Sequence, residues 1–358
     1  MAPPPVDLYP PAPKTTLLKN AKLNGAVTAA VGAVSSGRSQ AAAFALTLVD
    51  LSPSSGPLPM GSYKGDEEHY IASMAKVGVM YSAYALRDLV RRYVAKQKPA
   101  TAEALFKGLE ADMDDAIVKS SSIILSAPVL RAHRVPHYAD AIDKTGATAM
   151  PEFRKDFLKA LEKMIVPSDN TMAGKCVHGV GYSYLNGALE AAKLFSTGTK
   201  QGMWVAGDFS GGKNWPYARI PSTNDGDVAQ ASTSEAAALL LAVILKRGAL
   251  DTKSCDEMAE RLAHAAKGID PDGQGDESWL TRSDIPGHLD LASVTHDKVG
   301  LGPLKKGADV YSELLALQNV GGSTRTYAVA FQNFVPGVYR WADLVAVIRN
   351  AIKTYETP

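Results

Sequence analysis

Cysteine and long apolar segments are both scarce in this sequence of 358 residues. The cysteines are Cys176 and Cys255, too few for a disulfide framework or a cysteine-rich metal site. We expect two buried free thiols. No apolar run approaches the roughly 18 residues that a membrane-spanning helix needs. The sequence therefore indicates a chain held by a hydrophobic core, without a membrane span.

A charge imbalance is also missing, since 38 basic residues accompany 37 acidic ones. Without a basic block there is no electrostatic footprint for nucleic acid or for an anionic membrane surface. The seven histidines are scattered, and Pro136 between His133 and His137 argues against a helical ligand pair. We expect no metal site, no cofactor and no nucleic-acid partner.

Hydrophobic periodicity places strands near both ends of the chain and helices between them. Strand patterns occur at 44–51 and 61–71, then only at 291–299, 308–318 and 325–334. Helical patterns cover 15–35, 73–96, 101–119, 152–166, 171–179, 183–195, 232–246 and 341–355. The early strands need partners, and the other candidates lie near the C-terminus. The sequence predicts an α+β fold: an antiparallel sheet formed from both chain ends, flanked by helices, with an inserted all-helical domain.

Composition suggests where the domains begin and end. Residues 1–14 are a Pro-rich leader without the basic and apolar regions of a signal peptide. Residues 15–68 and 232–358 would form a discontinuous sheet domain, and 69–231 a helical domain. Within the latter, residues 196–231 are poor in aliphatic side chains and predict a long active-site loop.

A serine and a lysine lie three residues apart where a strand pattern gives way to a helix pattern, in Ser73-Met-Ala-Lys76. If Ser73 opens the helix, both side chains lie on one face, one turn apart. Serine is a poor nucleophile near neutral pH, and an amine held this close could activate it. The motif is short enough to occur by chance, so it is weak alone.

Two later segments strengthen it. Ser168-Asp-Asn170 opens a helical run, and Lys298-Val-Gly300 ends a strand pattern. In this order the three elements resemble the S-x-x-K, S-D-N and K-T-G signatures of class A serine β-lactamases and penicillin-binding proteins. The likeness covers residues 20 to 356 or so. It implies the same sheet and helical parts, with an active site in the cleft between them.

Competing matches are set aside by order and context. A literal Lys144-Thr-Gly146 precedes the S-D-N segment and has the composition of a turn. Lys76-Val-Gly78 lies inside the serine helix. Ser120-Ser-Ser122 could replace Ser168 as the middle element, but it lacks the asparagine.

The resemblance implies a catalytic role for four residues. Ser73 would be the acylated nucleophile and Lys76 its activating base. Ser168 would relay a proton to the leaving nitrogen. The backbone N–H groups of Ser73 and Leu301 would form the oxyanion hole.

It also implies a substrate-binding role for residues of the other two motifs. Asn170 would bind the substrate's acylamino side chain and orient Lys76. Lys298 would supply positive charge to Ser168 and to the substrate carboxylate, and Gly300 would let substrate approach the strand edge. Val299 replaces the threonine of K-T-G, which removes a hydroxyl donor at a cost of about 1–3 kcal/mol.

A second departure concerns hydrolysis of the acyl-enzyme. Class A β-lactamases carry an E-x-x-L-N segment whose glutamate activates the deacylating water. The corresponding stretch here, 204–231, contains no glutamate; its acids are Asp208, Asp225 and Asp227. We therefore expect Ser73 to be acylated, and we expect hydrolysis of the acyl-enzyme to be slow.

Three functions remain open. One is a class A β-lactamase-like serine hydrolase with weak or atypical β-lactam hydrolysis. Another is a penicillin-binding, D-alanyl-peptidase or esterase relative, and the third is a non-catalytic β-lactam- or peptidoglycan-binding module. The expected partner is a small-molecule β-lactam, ester or peptidoglycan-type substrate. The resemblance also implies an extracytoplasmic location if a signal has been removed.

Overall fold

The computed structural model describes residues 3–36, 44–144, 150–207, 209, 218–268, 293–320 and 323–358. Its strands are β1 Leu17–Lys19, β2 Ala45–Asp50, β3 Leu58–Tyr63, β4 His69–Tyr70, β5 Ile142–Asp143, β6 Glu152–Phe153, β7 Phe195–Ser196, β8 Gln201–Gly202, β9 Trp204–Val205, β10 Ile220–Ser222, β11 Gly226–Val228, β12 Gln230–Ser232, β13 Val294–Pro303, β14 Asp309–Gln318 and β15 Thr326–Phe334. Six of these form the main sheet, in the order β1-β3-β2-β15-β14-β13. β2 pairs antiparallel with β15, from Ala45 opposite Gln332 to Asp50 opposite Tyr327. The predicted sheet built from both chain ends is thus confirmed.

Helices cover both faces of that sheet. They are α1 Ala21–Ser35, α2 Lys76–Gln97, α3 Ala102–Lys119, α4 Ser122–Ser126, α5 Arg131–Arg134, α6 Tyr138–Ala141, α7 Lys155–Ile165, α8 Asn170–Val180, α9 Tyr182–Ala191, α10 Ser234–Leu245, α11 Thr252–Lys267 and α12 Trp341–Glu356. Alternation along β15 sends Val329 and Phe331 into a core under α1 and α12, and Ala328 and Ala330 into a second core shared with the central helices. The chain is therefore layered, with the terminal helices on one face and the helical region on the other.

The predicted strand at 61–71 is wrong as a single element. β3 ends at Tyr63, and a turn follows in which the N–H of Glu67 donates to the carbonyl of Lys64 at 3.2 Å. Lys64 has a φ of 52°. The chain then enters β4, which joins a separate three-stranded sheet with β12 and β9. Gly65-Asp66 is the turn signal that divides the two strands.

The predicted long loop, 196–231, carries two short strand pairs where the structure describes it. β7 pairs with β8, and β10 pairs with β11. Residues 208 and 210–217 of this loop lie outside the described ranges, as do 291 and 292 of the predicted strand 291–299.

The Pro-rich leader packs on the helical region. The Tyr9 hydroxyl donates to Ser120 Oγ at 2.6 Å, and its ring centroid lies 5.2 Å from that of Tyr184. A Cβ at Gly187 would come within 2.0 Å of the Tyr9 hydroxyl, so this close contact requires glycine. Ser120, a rival for the middle motif, is thereby engaged in a structural contact.

The two thiols lie in the helical layers. Cys176 of α8 and Cys255 of α11 are both buried and free. Across the described ranges, no helix combines the length and apolar character needed to cross a bilayer.

Candidate active site

Lys76 joins the first two motifs. It is the first residue of α2 and its side chain is buried. Its Nζ donates to the Ser168 carbonyl at 2.6 Å, to Ser168 Oγ at 3.1 Å and to Asn170 Oδ1 at 2.7 Å. The S-x-x-K lysine is therefore anchored on the S-D-N segment, which is 92 to 94 residues further along the chain.

Lys298 brings in the third motif. It lies on β13, the edge strand of the main sheet, and it is buried. Its Nζ donates to Ser168 Oγ at 2.8 Å. The Ser168 hydroxyl thus has a lysine on the helical side and a lysine on the sheet side, so it can pass a proton between groups held by different layers.

The S-D-N segment holds Ser168 in an unusual backbone conformation. Its φ is 61°, in the left-handed region that non-glycine residues rarely adopt. The Asp169 N–H donates to the Lys163 carbonyl at 2.9 Å, and the Asp169 carboxylate caps α8 by accepting from the Met172 N–H at 3.0 Å. Such strain costs of order 1–3 kcal/mol and persists where the surroundings enforce it, commonly at functional sites.

Ser73 does not open an α-helix, contrary to the sequence prediction. It lies in a 3₁₀ turn, Ala72–Ala75, and α2 begins at Lys76. With three residues per turn, side chains at i and i+3 eclipse each other, so Ser73 and Lys76 stay on one side. Among the described residues the Ser73 hydroxyl makes no hydrogen bond to Lys76, whose Nζ is directed to Ser168 and Asn170.

The two lysines differ in their readiness to hold a proton. Burial, and next the charge of Lys298, lower the pKa of Lys76 to about 6, against an opposing effect of Asp169. Burial lowers the pKa of Lys298 only to about 8, because Asp297 and Glu313 favour its charged form. Near neutral pH the site therefore holds an ammonium at Lys298 and a largely neutral amine at Lys76. Neutral Lys76 has two N–H donors, for the Ser168 carbonyl and Asn170 Oδ1, and a lone pair that accepts from the Ser168 hydroxyl.

Gly300 makes a close backbone contact in addition to the substrate approach predicted for it. A Cβ at this position would lie 2.1 Å from the carbonyl oxygen of Ile71 and 2.6 Å from the amide nitrogen of Met74. The missing side chain lets β13 lie directly against the serine turn. The structural role of Gly300 is this backbone contact, and its predicted contact with substrate stays a prediction.

Val299 and Leu301 alternate with Lys298 and Gly300 along β13. Val299 is buried and pairs with Glu313 of β14, on the face that carries the core of the terminal helices. Leu301 is 38% exposed. The side chain at the altered K-T-G position therefore points to the opposite face from Lys298.

Phe209 was not anticipated from the sequence. Its ring centroid lies 5.2 Å from Lys76 Nζ, within the range of a cation–π contact when Lys76 is protonated. Phe209 and Tyr70 also line a cleft of about 450 Å³ that extends to Arg219 and Lys305. A lone aromatic residue among the small and polar residues of 207–212 was the available signal.

The three aspartates that could activate water for deacylation lie in different surroundings. Asp225 Oδ1 accepts from the Lys305 N–H at 2.6 Å, at the rim of the cleft, and Asp227 is exposed. Asp208 lies outside the described ranges. Lys144 of the literal K-T-G donates to the Pro99 carbonyl, in a contact unrelated to Ser168, and Thr145 and Gly146 are not described.

No protein-family model matches the sequence, and no curated protein is significantly similar to it. Solved structures do match. A representative class A β-lactamase from Bacteroides cellulosilyticus has a TM-score of 0.52 at 13% identity, with 94% of this chain and 98% of that chain covered. The TLA-1 extended-spectrum β-lactamase has a TM-score of 0.53 at 12% identity, with 93% and 98% covered. A β-lactamase from Chitinophaga pinensis has 0.50 at 12% identity, with 93% and 97% covered. This chain therefore has the serine β-lactamase fold over nearly its whole length.

Proposed function

We propose that this chain is a class A β-lactamase-like serine hydrolase that forms an acyl-enzyme on Ser73, with weak or atypical hydrolysis of β-lactams. The observation that supports this best is the convergence of Lys76 and Lys298 on the Ser168 hydroxyl, at 3.1 and 2.8 Å. A neutral amine next to a serine turn, with an ammonium across the cleft, supplies the base and the electrostatic support that acyl transfer requires.

In the proposed acylation, neutral Lys76 takes the proton from Ser73 Oγ as that oxygen attacks the substrate carbonyl. A C–O bond forms, and the N–H groups of Ser73 and Leu301 stabilise the oxyanion. As the C–N bond breaks, the Ser168 hydroxyl gives its proton to the leaving nitrogen and is reprotonated by Lys76. Lys298 keeps its proton throughout, which stabilises the developing negative charge on Ser168 and binds a substrate carboxylate.

Asn170 has two tasks in this scheme. Its Oδ1 accepts from Lys76 at 2.7 Å, which orients the amine, and its exposed position leaves the amide free to bind an acylamino group. Gly300 contributes by letting the strand that carries Lys298 approach the serine turn.

The same geometry suits a penicillin-binding, D-alanyl-peptidase or esterase relative. Such a protein would use an identical acylation and differ only in how water reaches the acyl-enzyme. The absence of glutamate from residues 204–231 favours this second candidate over an efficient β-lactamase. A non-catalytic binding module is less consistent with a buried lysine whose pKa falls to about 6, because such a perturbation is typical of catalytic sites.

Covalent labelling tests the proposal. The full chain is incubated with a fluorescent penicillin and, in parallel, with a chromogenic cephalosporin. Ser73→Ala should abolish labelling, whereas the matched control Ser120→Ala should retain it because the hydrogen bonds of Ser120 go to Tyr9, Ile117 and Ser183, away from the candidate site. Label on Ser73→Ala equal to that on the wild type would overturn the proposal.

A further inference from the structure

Two carboxyl side chains are buried behind Lys298. Asp297 precedes it on β13 and is 1% exposed, and Glu313 of β14 is 0% exposed. Lys298 pairs with Leu314, which belongs to the core on the helical side, whereas Asp297 pairs with Leu315 in the core of the terminal helices. Asp297 and Glu313 therefore lie on the face of the sheet opposite the Lys298 side chain.

The two carboxyls depend on each other for hydrogen bonding. Asp297 lies opposite Leu315 and Glu313 lies opposite Val299, so the two carboxyls are diagonal neighbours on one face of the sheet. Within the described ranges, no N–H or O–H donor reaches Asp297 Oδ1 or either carboxyl oxygen of Glu313. Two carboxyl groups can share a hydrogen bond only if one of them is protonated. Burial raises the pKa of Glu313 well above its usual range and that of Asp297 to about 6, so near neutral pH the proton lies on Glu313 and the charge on Asp297.

Lys298 needs such a charge nearby. No carboxylate oxygen in the described ranges lies within ion-pair distance of its Nζ, and its described hydrogen bond is the one to the neutral Ser168 hydroxyl. An ammonium buried without a counter-charge tends to lose its proton. We propose that Asp297 and Glu313 share one proton and act as a single buried counter-charge that keeps Lys298 protonated from behind the strand. This inference deepens the proposed function, because it assigns two positioning residues that act through Lys298.

The other charged groups near β13 interact with residues other than Lys298 or oppose its charge. Lys76 faces Lys298 across Ser168, and Asp169 acts on Lys76. On the helical side of β13, burial and next the charge of Lys267 at the end of α11 lower the pKa of His296. The carboxyl groups that favour the ammonium of Lys298 are those of Asp297 and Glu313, and near neutral pH the charge lies on Asp297.

The Asp297–Glu313 pair would also influence the pKa of Lys76, the proposed base. The charge on Lys298 contributes to lowering the pKa of Lys76. If Lys298 loses its proton at a lower pH, Lys76 retains its own to a higher pH. The pH interval in which the base is neutral and the cation is charged then narrows from both sides.

Two near-isosteric variants distinguish the effect of the negative charge on Asp297 from the effect of the proton on Glu313. Asp297→Asn removes the negative charge, whereas Glu313→Gln keeps a neutral hydrogen-bond donor beside a charged Asp297. The readout is the titration of the Lys298 side chain by NMR in the full chain labelled with ¹³Cε-lysine, assigned with Lys298→Arg. We expect the Lys298 titration to move down by about 1–3 pH units in Asp297→Asn, and by well under about 1 unit in Glu313→Gln.

This measurement does not use activity, so failure of the proposed function and failure of the inference remain distinguishable. An unchanged Lys298 titration in a folded Asp297→Asn protein would overturn the inference, as would an equal shift in both variants. If Asp297→Asn does not fold, infrared spectroscopy of the wild type still decides. Buried Glu68, with a pKa raised to about 9 by burial, contributes a protonated-carboxyl C=O band at neutral pH to both proteins. A loss of protonated-carboxyl intensity in Glu313→Gln supports the shared proton, and equal intensity in the wild type and the variant rejects it.

A rescue experiment tests the functional consequence. The guanidinium of arginine stays charged over the whole accessible pH range. Lys298→Arg should therefore be insensitive to loss of the Asp297 charge. Adding Asp297→Asn to Lys298→Arg should leave the alkaline side of the labelling profile unchanged, whereas Asp297→Asn alone should lower labelling about tenfold at pH 8. Equal alkaline losses in both backgrounds would show that Asp297 does not act through Lys298.

Discussion

Lys298 Nζ donates to Ser168 Oγ at 2.8 Å and thereby joins the edge strand to the helical region. This bond joins residues that lie 130 positions apart in the chain. Because Lys76 reaches the same hydroxyl from the other layer, any separation of the layers would break the proton path.

The rate of Ser73 acylation should have a bell-shaped dependence on pH. Lys76 must be neutral to accept a proton, so the rate should rise as pH increases through its pKa of about 6. Lys298 must be charged, so the rate should fall as pH increases through its pKa of about 8. Stopped-flow labelling with a fluorescent penicillin between pH 5 and pH 10 measures both limbs. A rate that keeps rising up to pH 10 would contradict the assignment of Lys76 as a low-pKa base.

Lys76→Ala should reduce the acylation rate by about 100-fold or more, the range expected for loss of a general base. The matched control is Lys144→Ala, which removes the lysine of the literal K-T-G and should leave the rate within about twofold. Both rates are measured by the same labelling assay, with circular dichroism to verify folding. The motif assignment would be wrong if Lys144→Ala caused the larger loss.

Gly300→Ala should lower the stability of the fold and slow acylation. The new Cβ would lie 2.1 Å from the Ile71 carbonyl oxygen, so either the edge strand or the serine turn must shift. We expect a loss of about 1–3 kcal/mol in the free energy of unfolding, measured by urea denaturation. Gly32→Ala is the control, because a Cβ there has no neighbour within 4 Å and lies in α1. That change should raise stability by about 0.5–1 kcal/mol.

Turnover of a penicillin should show a stoichiometric burst followed by a slow steady state. Acylation uses groups that the structure brings together, whereas residues 204–231 supply no glutamate to activate water. Intact-protein mass spectrometry during turnover should show the adduct accumulating on Ser73. Free enzyme predominating while substrate disappears rapidly would reveal an efficient water-activating group, for which Asp208 is the first residue to replace.

Much of this arrangement could be read from the chain. Alternating patterns near both ends predicted the sheet, and the order of three short motifs selected Ser168 and Lys298 over Ser120 and Lys144. Such patterns are informative because they depend on local periodicity and on residue type.

Features that depend on contacts between distant segments were not accessible in the same way. Nothing local to Gly300 indicates that its neighbour is the carbonyl of Ile71. Likewise, the 3₁₀ turn at Ser73 depends on how α2 and the edge strand meet, and Phe209 lies over Lys76 only because a loop more than 100 residues away returns to the site. Such contacts are properties of the assembled fold, and single-sequence periodicity does not encode them.

The contact between Gly300 and the Ile71–Met74 backbone has a consequence for how the site can diversify. The spacing between the serine turn and the strand of Lys298 is set by main chain against main chain, so no choice of side chain can widen or narrow it gradually. Substitutions around the cleft can change the side chains that line it but not the distance between the serine turn and the strand of Lys298. New substrate preferences should therefore arise through the side chains that line the cleft beside Phe209, such as Arg219 and Lys305.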